Sequence, residues 1–195
     1  MNFTIDQLKE AVLRRDAPFF TGDLNLNLIG VRSKDRQADT FDDWLCVVYY
    51  QKNEPVLKTY PITTDPGVYY RKRPINAHGT AVLAPGHYPK CWTFGAHRGK
   101  YRALVQRGPM TVYRDNNKDG LIDDGLPTET GYFGINLHYA SVNHYTMQVD
   151  RFSAGCQVFQ RKDDFDEVMD LAGKSAKKYG DWFSYTLLTE EELTT

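Results

Sequence analysis

The chain has 195 residues, a length typical of one globular domain, and we expect a single domain over residues 1–195. Its 24 Lys and Arg residues nearly balance its 25 Asp and Glu residues, and the net charge of −1 argues against a nucleic-acid-binding protein, which needs a basic surface. The three cysteines do not suit a disulfide scaffold, because an odd number leaves at least one thiol free.

The hydropathy of the chain gives no sign of a membrane protein. Its longest apolar run, residues 44–50, is far shorter than the roughly 20 residues of a membrane helix, so we expect no membrane span. Residues 1–16 lack the basic start and apolar core of a secretory signal, and we expect no signal peptide in this chain.

The N-terminal segment, residues 1–20, is predicted to be helical. Thr4 and Gln7 have the spacing of a capping box, and apolar residues then recur at helical spacing, so we predict a helix over residues 5–15 that ends before Pro18. Leucines alternate with asparagines over residues 24–28, which predicts a half-buried strand.

The middle of the chain is rich in short strands. Residues 44–50 are apolar without alternation, which indicates a central strand covered on both faces, and residues 56–63 form a partner strand across a turn at 52–55. Between glycines and prolines, further short strands are predicted at residues 79–83, 103–106, 110–113 and 132–137.

The C-terminal part, residues 161–195, is predicted to hold a helix and a last strand. Apolar residues recur at helical spacing over residues 165–176, acids precede them, and lysines and Gly180 follow. Residues 182–188 suit a strand. We therefore predict a β-dominated fold, a sandwich or barrel-like core over residues 24–160, with one N-terminal and one C-terminal helix.

One of the three cysteines has a context that suggests chemistry. Cys156 follows Ser153, Ala154 and Gly155, a turn of small residues whose backbone N–H groups can face a developing oxyanion. Cys46 lies in the apolar run and is assigned to the core, and Cys91 is assigned to a loop over residues 88–92.

His138 is the candidate base for this thiol. A free thiol is only a few per cent thiolate at neutral pH, and a nearby imidazole can take its proton and pass it to a leaving group. A Cys and His pair is therefore the minimum equipment for acyl transfer through a thioester. We assign His78, His87 and His97 to Gly/Pro-rich loops, and His144, between the pair, is the alternative partner of Cys156.

The segment from His138 to Cys156 resembles the catalytic signature of the L,D-transpeptidases, in which a histidine precedes a Ser/Thr-x-Gly-Cys turn. Here fourteen residues separate His138 from Ser153, a spacing inside the family window. The resemblance implies that Cys156 is the nucleophile, that His138 is its base, and that the backbone carbonyl of Tyr139 orients the imidazole. It also implies an oxyanion site at the N–H groups of Gly155 and Cys156.

Several features depart from the family pattern, which suggests a divergent branch: the family is exported whereas we expect no signal here, and Tyr139 follows His138 in place of the usual glycine. The residue before Gly155 is Ala154 instead of the usual histidine, and Gln157 follows the cysteine in place of an aliphatic residue. The resemblance implies peptidoglycan stem peptides as the substrate, no required cofactor, and action in the periplasm or cell wall after export or lysis-linked release.

Other functions stay open at this point. One is hydrolysis of the stem peptide by a phage endolysin or a secreted effector, and another is a non-catalytic cell-wall-binding module. A third is a calcium-stabilised structural domain in which Cys156 belongs to the core.

The segment from residue 115 to residue 123 has the pattern of a calcium loop. Alternating oxygen ligands around a glycine suit a hard cation, and Leu121 takes the place of the backbone-carbonyl ligand. Position 12 is Leu126 in place of the usual Glu, with Asp124 and Glu129 as alternative carboxylates. The other interpretation is an Asn/Asp-rich hairpin turn. The predicted ligands of a structural Ca²⁺ are Asp115, Asn117, Asp119, Leu121 and Asp123.

A short basic cluster, Arg71, Lys72 and Arg73, is assigned to a loop. Such a cluster either meets an acidic ligand, such as a peptide carboxylate, or is simply solvated.

Overall fold

A computed structural model describes residues 3–119, 121, 127–142 and 145–194. Strands dominate this part of the chain: β1 (Asn27–Arg32), β2 (Asp43–Gln51), β3 (Glu54–Thr63), β4 (Thr80–Leu83), β5 (Gly86–His97), β6 (Tyr101–Gln106), β7 (Met110–Asp115), β8 (Thr128–Gly131), β9 (Leu137–Tyr139), β10 (Gln157–Phe159) and β11 (Trp182–Thr189). The α-helices are α1 (Ile5–Arg14), α2 (Val68–Lys72) and α3 (Lys162–Tyr179), and a 3₁₀ turn spans Glu190–Leu193.

Eight strands close into a barrel in the order β1, β11, β5, β6, β9, β10, β3 and β2. The β1–β11 and β9–β10 pairs are parallel and the other neighbours are antiparallel. Strands β4, β7 and β8 form a separate antiparallel sheet. The prediction of a β-dominated fold with an N-terminal and a C-terminal helix is confirmed in this coarse form.

The larger hydrophobic core includes residues from the barrel strands and from α3. Trp92 and Tyr185 lie in this core with ring centroids 4.5 Å apart. Helix α3 contributes Phe165, whose ring is 5.2 Å from that of Tyr139 and 5.7 Å from that of Phe159. Because β9 and β10 carry these two residues, α3 supports the strand pair that holds the candidate site.

Helix α1 builds a second core with β1 and β2. Leu8 and Val12 pack in one cluster with Ile29 and Val48. The predicted capping box is present, since the Gln7 N–H donates to Thr4 Oγ1 at 3.2 Å and the Thr4 N–H donates to Gln7 Oε1 at 3.1 Å. The predicted helix is therefore confirmed to within one residue.

The first strand differs from its prediction. Leu24 has φ of +60° and its N–H donates to the Tyr50 carbonyl, so it lies in a turn. The strand starts at Asn27 and continues to Arg32, and every residue in it is buried. The leucine alternation was misleading because β1 is enclosed on both faces, by α1 on one side and by the barrel interior on the other.

The strand predicted over residues 132–137 is largely wrong. The chain leaves β8 at Gly131 and enters β9 only at Leu137. The buried side chain of Gln106 replaces the missing strand partner, because its Oε1 accepts the N–H groups of Phe133 and Ile135 at 2.9 and 3.0 Å.

The longest strand, β5, was missed. Its residues, which include Cys91 and His97, were assigned to loops because proline and glycine interrupt the pattern. In the structure Pro89 lies where the pairing with β11 shifts register, between Phe183 and Tyr185. A proline is tolerated at such an irregularity because its missing N–H breaks no regular ladder bond.

The basic cluster is also corrected. Arg71 lies in the short helix α2, is fully buried and forms an ion pair with Asp115, so it is neither solvated nor exposed to an acidic ligand. Lys72 and Arg73 are exposed. Within the described ranges, no helix combines the length and the apolar character needed to span a membrane.

Candidate active site

The turn before β10 presents Cys156 at the surface of the barrel. Gly155 has φ of +124°, and a Cβ there would lie 2.5 Å from the Ala81 carbonyl oxygen, so only glycine fits. The buried Ser153 hydroxyl fixes the turn, because its Oγ accepts the Gly155 N–H at 3.1 Å and donates to the Cys156 carbonyl at 2.9 Å. The glycine and serine of this turn are thus required by its backbone geometry.

This arrangement changes the predicted oxyanion site. The Gly155 N–H is already used by Ser153 Oγ and is not available to a ligand in this conformation. No described residue takes the Cys156 N–H. Of the two donors implied by the resemblance, Cys156 is therefore the one whose N–H is available.

His138 lies beside this turn because β9 and β10 are parallel neighbours, with His138 opposite Val158. Its Nδ1 lies 2.9 Å from the Tyr139 carbonyl oxygen and 3.2 Å from the Tyr101 hydroxyl. Since a carbonyl only accepts, Nδ1 carries the ring proton. The other nitrogen, Nε2, is buried and has no hydrogen-bond partner among the described residues. It is therefore the nitrogen left to accept a proton.

The structure brings His138, Cys156 and a residue from a third strand together. One ring nitrogen from each of His97 and His138 and the Cys156 sulfur all lie within 4.8 Å of one another. The Cys156 thiol donates to the Gly134 carbonyl at 3.3 Å. His144, the alternative partner in sequence, lies outside the described residues.

The electrostatics favour a neutral pair at rest. Burial, together with the neighbouring His97, lowers the pKa of His138 to about 3. Burial raises the pKa of the Cys156 thiol to about 11, against smaller opposing effects of the Asn136 N–H and the Arg98 charge. At neutral pH the site therefore holds a thiol and an uncharged imidazole, and the thiolate forms only when the proton moves to His138.

The other two cysteines are unsuited to this chemistry. Cys46 and Cys91 are fully buried, and burial raises the pKa of each thiol well above its ordinary range. Cys91 lies in β5 and not in a loop, so its assignment is corrected. Cys156, in contrast, is partly exposed.

A cavity of about 280 Å³ begins next to the cysteine turn. It lies against the small β4–β7–β8 sheet and is lined by Tyr70, Ile75, Ala81, Arg114, Phe133 and Ala154. Ala154 precedes Gly155 in the turn and the Ala81 carbonyl lies against Gly155, so the cavity reaches the turn that carries Cys156.

The calcium loop is described only in part. Asp115 is buried against Arg71, and Asp119 accepts the Leu121 N–H at 2.8 Å while Asn117 accepts the Asp119 N–H at 3.1 Å. Asp123 lies outside the described residues, together with the rest of the segment over 122–126. Glu129, one of the alternative carboxylates, pairs with Arg114 at 2.7 Å. The calcium site stays a prediction.

Sequence reasoning missed three side chains around His138. Tyr101 contacts the His138 imidazole, His97 stacks on His138, and Asn136 contacts the His97 imidazole. The β-forming residues 91–94 were a signal that a strand continues toward His97, but nothing in the sequence pairs that strand with β6 and β9.

Comparisons with protein families, curated proteins and solved structures find no match.

Proposed function

We propose that this chain is a cysteine-dependent acyl-transfer enzyme that acts on peptidoglycan stem peptides, as its resemblance to the L,D-transpeptidases implies. The observation that supports this most is the pairing of Cys156 with a buried imidazole whose Nε2 is unoccupied and whose Nδ1 is held by the Tyr139 carbonyl. An oriented base within reach of a partly exposed thiol is the equipment of covalent acyl transfer. The barrel would then be a core of the L,D-transpeptidase type.

The reaction begins with proton transfer from the Cys156 thiol to His138 Nε2. The sulfur attacks a carbonyl carbon of the stem peptide, a C–S bond forms, and the oxyanion faces the Cys156 N–H. When the intermediate collapses, the C–N bond breaks and His138 returns its proton to the departing amine of the terminal D-alanine. The thioester then passes to an amine, which gives a cross-link, or to water, which gives a shortened peptide.

The cavity beside the turn has the chemistry to receive a peptide. Aromatic and aliphatic side chains line it together with one guanidinium, that of Arg114, which stacks over the Phe133 ring at 4.9 Å. Arg114 also pairs with Glu129 at 2.7 Å, so its charge is already balanced, and the mixed apolar and polar surface suits a short peptide.

The test is incubation with purified disaccharide tetrapeptide and mass spectrometry of the products. We expect cross-linked dimers or tripeptides from the wild-type chain and neither product from Cys156→Ala. Cys91→Ala is the matched control, since it removes a thiol that lies in the core and should leave turnover intact. Turnover by Cys156→Ala, or none by the wild type, would overturn the proposal.

A carbapenem offers a second readout that does not depend on the acceptor. We expect a mass adduct on Cys156 and none on Cys46 or Cys91. If neither peptide nor carbapenem reacts but the chain pellets with purified sacculi, the non-catalytic wall-binding function is supported in place of the enzyme.

A further inference from the structure

His97 is the buried residue beside this site that the proposed reaction has not used. It is the last residue of β5, is 7% exposed, and its ring stacks on that of His138, with centroids 3.9 Å apart and ring planes inclined by 27°. One of its ring nitrogens belongs to the group within 4.8 Å of the Cys156 sulfur. Two stacked imidazoles therefore border the sulfur.

The tautomer of His97 is set by a chain of hydrogen bonds that starts at a backbone amide. The Gln106 N–H donates to Asn136 Oδ1 at 2.9 Å, which leaves Asn136 Nδ2 as a donor. That Nδ2 lies 3.1 Å from His97 Nδ1. Because Nδ1 must accept, the ring proton of neutral His97 sits on Nε2. His97 thus offers an N–H where His138 offers a lone pair.

The same tautomer argues against a metal ion at this cluster. Two histidines and a cysteine match the ligand preferences of Zn²⁺. A ligating His97 would need a lone pair on Nε2, which carries the proton here.

We propose that His97 takes part in the acyl-transfer reaction by donating its Nε2–H to the Cys156 sulfur as the thiolate forms, while its ring holds the His138 imidazole in place. The inference rests on the proposed function of the Cys156–His138 pair. The thiol proton moves to His138 Nε2 and later to the leaving amine, and His97 keeps its own proton throughout. Ala154, in the turn itself, has no donor that could fill this role.

The groups that face His97 are known from the structure. Arg98 follows it in the chain, Tyr101 on β6 lies 5.6 Å away between ring centroids, Asn136 donates to its Nδ1, and His138 and Cys156 lie beside it. Burial, with a smaller effect of Arg98, lowers the pKa of His97 to about 4, so the ring is neutral over the working range. Because these neighbours stay the same in a His97 variant, a change in thiol reactivity can be assigned to His97 itself.

The experiment measures the rate of Cys156 alkylation by iodoacetamide between pH 6 and 10, which requires no peptidoglycan substrate. His97→Phe keeps a stacked ring without a donor, and we expect about tenfold slower alkylation at pH 8 with a profile shifted up by about one unit. His97→Gln retains an N–H donor and should recover most of the rate. His87→Phe, on the same strand away from the site, is the matched control.

Three outcomes would overturn the inference. The first is a wild-type rate for His97→Phe, and the second is equal slowing by Phe and Gln, which would indicate packing alone. The third is protection of Cys156 by stoichiometric Zn²⁺ that is lost in His97→Gln, which would indicate a metal site. Peptide turnover tests the proposed function separately, so the two failures are distinguishable.

A second variant keeps the test decisive if His97→Phe does not fold. Asn136→Asp can still accept the Gln106 N–H but replaces the donor at His97 Nδ1 by an acceptor, which moves the His97 proton away from Nε2. We expect slower alkylation. Because the new charge also disfavours a thiolate, the effect is compared with Asn136→Asp in the His97→Gln background, where the tautomer no longer matters. Equal effects in both backgrounds would contradict the proposal.

Discussion

The imidazole rings of His97 and His138 stack at 3.9 Å, although 40 residues and three strands, β6, β7 and β8, lie between the two histidines in sequence. The barrel makes this possible because β6 pairs with β5 along one edge and with β9 along the other. Both rings are buried and neutral, so neither imidazole places a positive charge next to the thiol. The consequences for reactivity and stability can be measured directly.

The reactivity of Cys156 should depend steeply on pH. Because burial raises the pKa of its thiol to about 11, we expect the iodoacetamide rate to rise about tenfold per pH unit from pH 7 to 10. Cys46 and Cys91 should stay unlabelled in the folded protein. A rate that is already constant between pH 5 and 8 would instead indicate a preformed thiolate–imidazolium pair.

The two buried histidines should make the fold sensitive to acid. The pKa of His97 is lowered to about 4 and that of His138 to about 3, from an ordinary value of 6.5. Above pH 6.5 the two rings are unprotonated in both the folded and the unfolded chain. As the pH falls below 6.5, only the unfolded chain binds protons at these histidines. The free energy of unfolding should therefore fall by about 1.4 kcal/mol per pH unit for each histidine.

Urea denaturation between pH 6 and 5 measures this slope. Replacing His97 by Gln should reduce the slope by the contribution of about one proton, which is about 1.4 kcal/mol per pH unit. An unchanged slope for His97→Gln would mean that this ring is protonated in the folded protein.

Gly155→Ala should destabilise the protein and change the rate of Cys156 alkylation from that of the wild type. The substitution places a Cβ 2.5 Å from the Ala81 carbonyl in addition to the cost of a positive φ. Gly99→Ala is the matched control, because Gly99 also has a positive φ of +69° but nothing within 4 Å. We expect the free energy of unfolding, measured by urea denaturation, to fall by about 1 kcal/mol in the control and by several kcal/mol in Gly155→Ala. Equal losses would remove the steric argument.

Asp115→Asn should cost about 3–5 kcal/mol of stability, because it leaves the fully buried Arg71 guanidinium without its counter-charge. Glu129→Gln breaks a pair whose carboxylate is half exposed and should cost less than about 1 kcal/mol. Urea denaturation of both variants measures the two losses in the free energy of unfolding. A small loss for Asp115→Asn would show that the ion pair does not hold α2 against β7.

The same melting measurements test the predicted calcium loop. If Asp115 and its neighbours bind Ca²⁺, millimolar Ca²⁺ should raise the melting temperature of the wild type and have less effect on Asp119→Asn. A melting temperature that is independent of Ca²⁺ would remove the calcium hypothesis and leave Asp115 as the partner of Arg71.

What the sequence by itself determined is local. The capping box of Thr4 and Gln7, the charges and glycine that bound α3, and the apolar run of β2 with its hairpin partner β3 all depend on neighbours within a few residues, and each element was found. The turn around Cys156 belongs to the same class, since its glycine and serine act on their own backbone.

Only the tertiary structure decided what surrounds the thiol. Strand β5 tolerates a proline because a register shift in β11 lies opposite it, and Gln106 replaces the strand partners of residues 133–135. Arg71 is buried because α2 faces Asp115. His97 reaches Cys156 through the closure of the barrel, a contact between strands far apart in sequence. Such contacts depend on which edges pair, and the residue pattern of one strand carries no record of its neighbours.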